Sequence, residues 1–311
     1  VTIGIIGAGA FGSALAITLA SVTDVVLWGR ALNTDAKASP RLPNHPLPDR
    51  VRISLELSDC AQADLCLIAT PMAGLSEVSE RLDEVDCPPL ILCCKGISGS
   101  GFMGPASFLA ERLPKADIGV LTGPSFAVDI ASGLPTALTL AGPTDILEPA
   151  QAALTTPTLR VYTTADVVGA ELGGAMKNVI AIAAGIAMGA GLGESARAAL
   201  ITRGFAELER FALSRGAQSR TLHGLSGLGD LLLTATSEKS RNYAYGLALG
   251  AGTEPEKATV EGRQTALNLA EHARISGIDL PLTTTVAALI NGTIDVTTAI
   301  RTLMSRPPKE E

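Results

Sequence analysis

Thr2-Ile3-Gly4-Ile5-Ile6-Gly7-Ala8-Gly9-Ala10-Phe11-Gly12 carries a short apolar, β-branched run straight into a G-x-G-x-x-G motif. An Ala/Leu-rich helical segment (13–20) follows, and a second apolar run at 25–28 completes a β-α-β unit. Alone the motif is a weak signal; directly after a strand and opening a helix it is a dinucleotide fingerprint. Gly7 makes the tight turn, Gly9 lets the backbone approach a pyrophosphate, and Gly12 lets helix and strand pack closely. The free N–H groups at the helix start favour the phosphates. A glycine turn without a ligand and a methyltransferase-type nucleotide site are the competing readings.

Outward from this unit, further strand-like runs lie at 65–70, 90–94, 119–122, 137–141 and 159–162, separated by segments long enough for helices or crossovers. The runs are continuously apolar rather than alternating, which suits strands covered on both faces. From about residue 166 the spacing turns helical, with segments at 171–188, 195–214, 229–236, 241–249, 261–276, 283–290 and 295–304. The expectation is an α/β protein: an N-terminal Rossmann-type, doubly wound, mostly parallel sheet over 1–165, and an all-α domain over 166–311.

Composition sets bounds on function. Apolar residues make up 47% and charged residues 18% of 311, which suits two folded domains. Aromatics are only 3%, so Ala, Leu, Ile and Val must fill the cores. The net charge of −7, without any Lys/Arg cluster, argues against nucleic acid as a partner. A phosphorylated ligand would then depend on a few placed cations and backbone N–H groups. The five cysteines, Cys60, Cys66, Cys87, Cys93 and Cys94, are odd in number and lack C-x-x-C spacing. They read as reduced thiols in a cytoplasmic protein, and no metal is implied. The chain opens directly on a strand, so no signal peptide is expected. The apolar stretch after Lys177 is broken by Gly185, Gly189, Gly191 and Gly193 before reaching the roughly 18 residues of a membrane span. Oligomeric state stays open, a homodimer among the options.

The end of the second strand selects the dinucleotide. Asp or Glu there would bind the ribose 2′-OH of NAD, whereas an arginine accommodates a 2′-phosphate. The chain has Trp28-Gly29-Arg30, which favours NADP over NAD.

In the helical half, Lys177 and Asn178 interrupt an apolar helix, and Gly173, Gly174, Ala181 and Ala184 share the face of Lys177. Partial burial would lower the lysine's pKa towards proton-transfer range; a snorkelling lysine at a domain boundary is the plainer alternative. Asp230, after Gly224-Leu225-Ser226-Gly227-Leu228-Gly229, reads as a helix N-cap. Ser240-Arg241-Asn242 looks like a capped helix start that also suits a phosphate. Gly123-Pro124-Ser125-Phe126 and Lys95-Gly96 fall at the carboxyl edge of the sheet, where open α/β sheets bind ligands.

Taken in order, the fingerprint, Lys95-Gly96, Gly123-Pro124-Ser125-Phe126-Ala127, Gly173-Gly174-Ala175-Met176-Lys177-Asn178, Gly227-Leu228-Gly229-Asp230, Ser240-Arg241-Asn242 and Val260-Glu261-Gly262 resemble the bacterial-type NAD(P)-dependent glycerol-3-phosphate dehydrogenases over nearly the whole chain. The resemblance implies hydride transfer between a nicotinamide dinucleotide and dihydroxyacetone phosphate, supplying glycerophospholipid synthesis. It makes Lys177 the proton donor and acceptor, with Lys95 and Asp230 beside it. Substrate contacts would come from Lys95, Gly123, Ser125, Lys177, Asp230, Ser240, Arg241 and Asn242. Cofactor contacts would come from Ala10, Phe11, Arg30, Lys95, Ala127, Arg241 and Glu261, besides the glycines. The chain departs from the family pattern at Ala10 (commonly Ser), Phe11 (commonly Trp or Tyr) and Thr259 (commonly Val), and 250–257 is shortened. Two other readings stand: a 2-hydroxyacid or ketopantoate reductase of similar architecture, and a catalytically silent dinucleotide-binding regulator.

Overall fold

The computed structural model describes the chain apart from residues 84, 99–102, 257 and 305–311. Eight strands form one sheet: β1 (Thr2–Ile6), β2 (Asp24–Trp28), β3 (Val51–Ser54), β4 (Leu65–Ile68), β5 (Leu90–Leu92), β6 (Ile118–Thr122), β7 (Thr136–Ala141) and β8 (Leu159–Thr164). Their order is β3-β2-β1-β4-β5-β6-β7-β8, and every neighbouring pair is parallel except β6 with β7. Chain order reverses between β1 and β4, which opens a crevice at their carboxyl ends.

Each expected run contains a strand, with shifted ends. The run at 65–70 is a strand only to Ile68, and that at 90–94 only to Leu92, so Cys93 and Cys94 are buried beyond the ladder. Strand β3 was not expected: it is four residues long, sits at the sheet edge and exposes Arg52, so it lacks a continuous apolar run. The first helix, α1 (Ala10–Leu19), begins three residues earlier than its composition suggests, directly after Gly9. Helices α2 (Ser58–Ala61), α3 (Leu75–Leu82), α4 (Pro105–Arg112), α5 (Ala127–Ala131) and α6 (Thr144–Leu154) cover the sheet. Ile3, Ile5, Leu15 and Leu27 pack on one face, and Ile6, Ile68, Leu75 and Leu90 on the other.

The remaining helices are α7 (Val167–Gly189), α8 (Gly193–Ser214), α9 (Ser219–Leu222), α10 (Asp230–Ala235), α11 (Arg241–Gly250), α12 (Glu261–Ser276), α13 (Pro281–Ile290) and α14 (Val296–Met304). All the expected segments are helical, within a few residues at their ends. By length and composition α7 could cross a membrane, contrary to the sequence reading, but 89% of its apolar window is buried inside the protein. It is the core helix of this half, with Phe211, Leu208 and Leu269 in the surrounding cluster. Asp166 fixes its start: one carboxylate oxygen caps the Gly169 N–H at 2.8 Å and the other accepts from Gln218 N–H at 2.7 Å.

Small residues let α11 lie backbone to backbone on α7. A Cβ at Gly185 or Gly189 would strike the carbonyl oxygen of Tyr243 or Leu247, and one at Gly246 or Gly250 that of Ile182 or Ile186. The two helices therefore run side by side in register, which carries the start of α11 beside the stretch of α7 that bears Lys177 and Asn178.

Candidate active site

The glycine turn has the shape a dinucleotide needs. Gly7 has φ +119°, and a Cβ there would lie 2.7 Å from the Ala69 carbonyl carbon, at the β1/β4 crevice. A Cβ at Gly12 would collide with the Gly7 carbonyl, so the close packing of helix and strand requires glycine. Nothing lies within 4 Å of a Cβ built on Gly9. Gly9 is also the N-cap of α1 and supplies no side-chain cap, which leaves the first-turn N–H groups available to a ligand. These residues fit a pyrophosphate.

Ala10, Phe11 and Ala127 meet in a small apolar cluster where α1 packs on α5, so the Gly123–Ala127 segment is held next to the glycine turn. Gly29 presses on Ala8, which places the end of β2 beside the same turn. Arg30 follows, with 74% of its side chain exposed and a loose 3.5 Å ion pair to Glu77. An exposed pair of this kind holds the guanidinium only weakly.

The helical half contributes a buried charge cluster. Asp230 is 1% exposed and accepts from Lys177 through Oδ1, and from Lys95 through Oδ2 at 2.6 Å. Lys177 Nζ also donates to Thr234 Oγ1 at 2.7 Å. The N-cap reading of Asp230 is thus corrected. Asp230 opens α10 after a π-type turn over Leu225–Gly229, and its carboxylate turns to the lysines. Nor does Lys177 snorkel, since it is 6% exposed. Gly174 explains how Lys95 reaches in: a Cβ there would touch the Lys95 stem at 3.5 Å and Thr122 Oγ1 at 3.1 Å.

Two ammonium groups share one carboxylate, so the cluster carries an excess positive charge. Burial brings Lys177 down to about 7; Asp230 pulls the other way, and the Lys95 charge adds to the fall. Burial works downward on Lys95 too, but 21% of that side chain is exposed, and attraction to Asp230 and Glu261 raises its pKa overall. Burial works upward on Asp230, yet the two ammonium groups hold it below the usual carboxylate range.

Several of the other candidate residues are tied to one another across the two halves. Pro124 packs beside Gly229, and Ser125 donates to the Gly123 carbonyl at 3.3 Å. Lys239 bridges the halves, pairing with Asp129 at 3.2 Å and lying over the Phe126 ring, which brings the start of α11 to the start of α5. Ser240 caps α11 by accepting the Tyr243 N–H, as its sequence suggests. Asn242 accepts the Gly262 N–H at 2.9 Å and so ties Glu261 and the start of α12 to α11. Arg241 is exposed and has no hydrogen-bond or ion-pair partner among the described residues. Among the described residues, neither Arg30 nor Arg241 forms a hydrogen bond or ion pair with the buried cluster.

Sequence reasoning missed Thr234, although it stands one helical turn after Asp230. It also missed Thr122, whose hydroxyl is buried without a partner at the carboxyl end of β6.

A dinucleotide cradle on a Rossmann sheet, joined to a second, helical domain by two lysines, one from each, on a single buried carboxylate, defines a two-domain nicotinamide-dependent oxidoreductase. Residues 2–146 match the family model of the NAD-dependent glycerol-3-phosphate dehydrogenase N-terminus, and residues 166–301 that of its C-terminus. The chain belongs to the NAD-dependent glycerol-3-phosphate dehydrogenase family. It is 50% identical over 319 residues to an NAD(P)+ glycerol-3-phosphate dehydrogenase of Roseobacter denitrificans, covering 100% of both chains. Identity to the protein of that name in Jannaschia sp. is 52% over 315 residues, 99% of each chain. The crystal structure of glycerol-3-phosphate dehydrogenase from Coxiella burnetii superposes with a TM-score of 0.92 at 34% identity, covering 98% of this chain and 99% of that one. A ketopantoate reductase from Ralstonia eutropha, at TM-score 0.61 and 16% identity over 97% of this chain and all of that one, shares the fold alone.

Proposed function

We propose that the chain reduces dihydroxyacetone phosphate to sn-glycerol 3-phosphate with NADPH in preference to NADH, and runs the reverse oxidation. The observation that carries this reading is the pair of lysines, one from each half, on a single buried carboxylate. Gly7, Gly9 and Gly12 would hold the pyrophosphate of a nicotinamide dinucleotide, which when bound in its reduced form would supply the hydride for the carbonyl carbon. Lys177 donates a proton to the carbonyl oxygen, and its lowered pKa suits the task near neutral pH. Lys95 keeps its charge and stabilises the developing alkoxide, most strongly in the transition state. Asp230 holds both ammonium groups on target, and Thr234 fixes the rotamer of Lys177.

The phosphate meets Arg241, whose guanidinium is free, at the start of α11 with Ser240 and Asn242. Gly123 and Ser125, at the carboxyl end of β6, contact the substrate from the sheet side. Glu261 and Ala127 border the cofactor, and Arg30 meets the 2′-phosphate of NADPH. The two domains divide this work, 1–165 for the dinucleotide and 166–311 for the substrate, with the boundary between the end of β8 and the start of α7.

Loss of NADPH absorbance on adding dihydroxyacetone phosphate to the purified protein tests the reading. Turnover on ketopantoate but none on dihydroxyacetone phosphate would replace it with the carboxylate-reductase alternative.

A further inference from the structure

The segment that carries Lys95 runs from the end of β5 to the start of α4, and the helical domain holds it at three places. Lys95 itself donates to Asp230. Two residues on, the Ile97 side chain is buried in the helical core rather than the sheet core, and its carbonyl accepts from the Asn268 amide of α12 at 2.8 Å. At the far end, Glu171 of α7 accepts the Ala106 N–H at 2.6 Å. Between the last two anchors, Ser98 N–H donates to the Met103 carbonyl at 2.9 Å, and Met103 N–H to Ser98 Oγ at 3.1 Å, which ties Ser98 directly to Met103, one residue before the N-cap of α4.

The anchor at Glu171 solves a problem that the local sequence leaves. Helix α4 starts at Gly104-Pro105, and its N-cap glycine has no side chain to satisfy the first-turn N–H groups. Pro105 has no N–H, so Ala106 carries the first one that needs a partner. A carboxylate from the other domain supplies it, at the helix end where negative charge is most favourable. Gly104 makes room, since a Cβ there would overlap the Glu171 carboxylate. Glu171 lies six residues before Lys177 on α7, about 9 Å along the axis. One helix therefore bears Lys177 and also anchors the segment that bears Lys95.

We propose that Glu171 is a positioning residue for the reduction: by capping α4 from the helical domain it fixes Lys95 relative to Lys177, so that both ammonium groups meet Asp230 in one geometry. The inference rests on the reading that Lys95 and Lys177 serve the reaction. Burial pushes the Glu171 carboxyl up to about 7, so an amide that keeps an acceptor oxygen is a modest change there, whereas alanine removes the cap.

The test compares Glu171→Ala, Glu171→Gln and Asn268→Ala with the parent. Glu171→Ala should lower kcat for dihydroxyacetone phosphate by about tenfold, because misplacing a reacting group by even a fraction of an ångström is costly. Its NADPH Kd should stay close to the parent's, and Glu171→Gln should restore most of the kcat. Hydrogen exchange at the Ala106 amide should rise in Glu171→Ala alone, which reports the cap independently of turnover. Asn268→Ala loosens the second anchor and should show a smaller kcat loss, which keeps the test alive if Glu171→Ala does not fold. Parent-like kcat in Glu171→Ala despite a freely exchanging Ala106 amide would overturn the proposal, as would equal losses in the Ala and Gln variants. Lys95→Ala separates this inference from its premise. Parent-like turnover there removes the premise, while a large loss there with none in Glu171→Ala removes only the positioning role.

Discussion

In the sheet domain the site is made of backbone, and in the helical domain it is made of buried side-chain charge. The glycine turn offers N–H groups and an open approach at Gly9, with the exposed Arg30 at the end of the neighbouring strand. The helical domain offers Lys177 and Asp230 sealed from water, with Lys95 reaching across to them. A backbone site costs little in the absence of ligand, since water can satisfy its N–H groups. A buried cluster with one carboxylate for two ammonium groups is costly unless every member is present. Damage to the two regions should therefore differ in kind: loss of stability and chemistry in one, loss of affinity in the other.

The largest effect is expected from Asp230→Asn, which leaves two ammonium groups facing each other without a counter-charge. Urea unfolding should show a loss of about 3 kcal/mol, the low end for breaking a buried pair because Lys177 can shed its proton. Stability within 1 kcal/mol of the parent would mean that the cluster is not structurally coupled. Next comes Lys177→Ala, which should reduce kcat at least ~10²-fold while NADPH titration stays near normal. Equal weakening of NADPH binding would merge the two regions into one.

On the sheet side, the Arg30 hydrogen bonds to a 2′-phosphate should be worth roughly 1.5–3 kcal/mol, so NADPH should be preferred to NADH by about 10- to 100-fold in kcat/KM. Arg30→Asp should invert the preference without altering the unfolding curve; a parent with no preference would show that Arg30 serves the Glu77 pair alone. The smallest effect should come from Gly9→Ala. The position has φ −69° and open space, so stability should not change. The added methyl would press on a bound pyrophosphate and weaken dinucleotide binding about tenfold, at a cost of 1–3 kcal/mol of overpacking. A loss of stability there would contradict the description of the turn as open.

The same contrast explains what could be read from the residues. Gly7, Gly9 and Gly12 are five positions apart end to end, and their roles follow from that spacing and from the strand and helix on either side. Lys95, Lys177 and Asp230 are assembled from positions 135 and 53 residues apart, which no local pattern encodes. Only the family resemblance placed them together. Spacing alone made Asp230 a helix cap, since nothing local announces that a carboxylate will turn inward to two lysines. Strand β3 escaped because an edge strand with one exposed face leaves no apolar run. Glu171 escaped because the helix that it caps belongs to the other domain.

The central claim, that Lys177 holds and delivers the proton, is tested most directly by the pH dependence of kcat/KM in both directions. The ammonium form donates in reduction, so kcat/KM for dihydroxyacetone phosphate should be highest below the Lys177 pKa and fall as pH rises through about 7. The free amine accepts in oxidation, so kcat/KM for sn-glycerol 3-phosphate should rise across the same interval. Lys177→Ala should abolish both inflections in whatever activity remains. Profiles that fall or rise together in the two directions, or inflections that survive in Lys177→Ala, would assign the proton to another group.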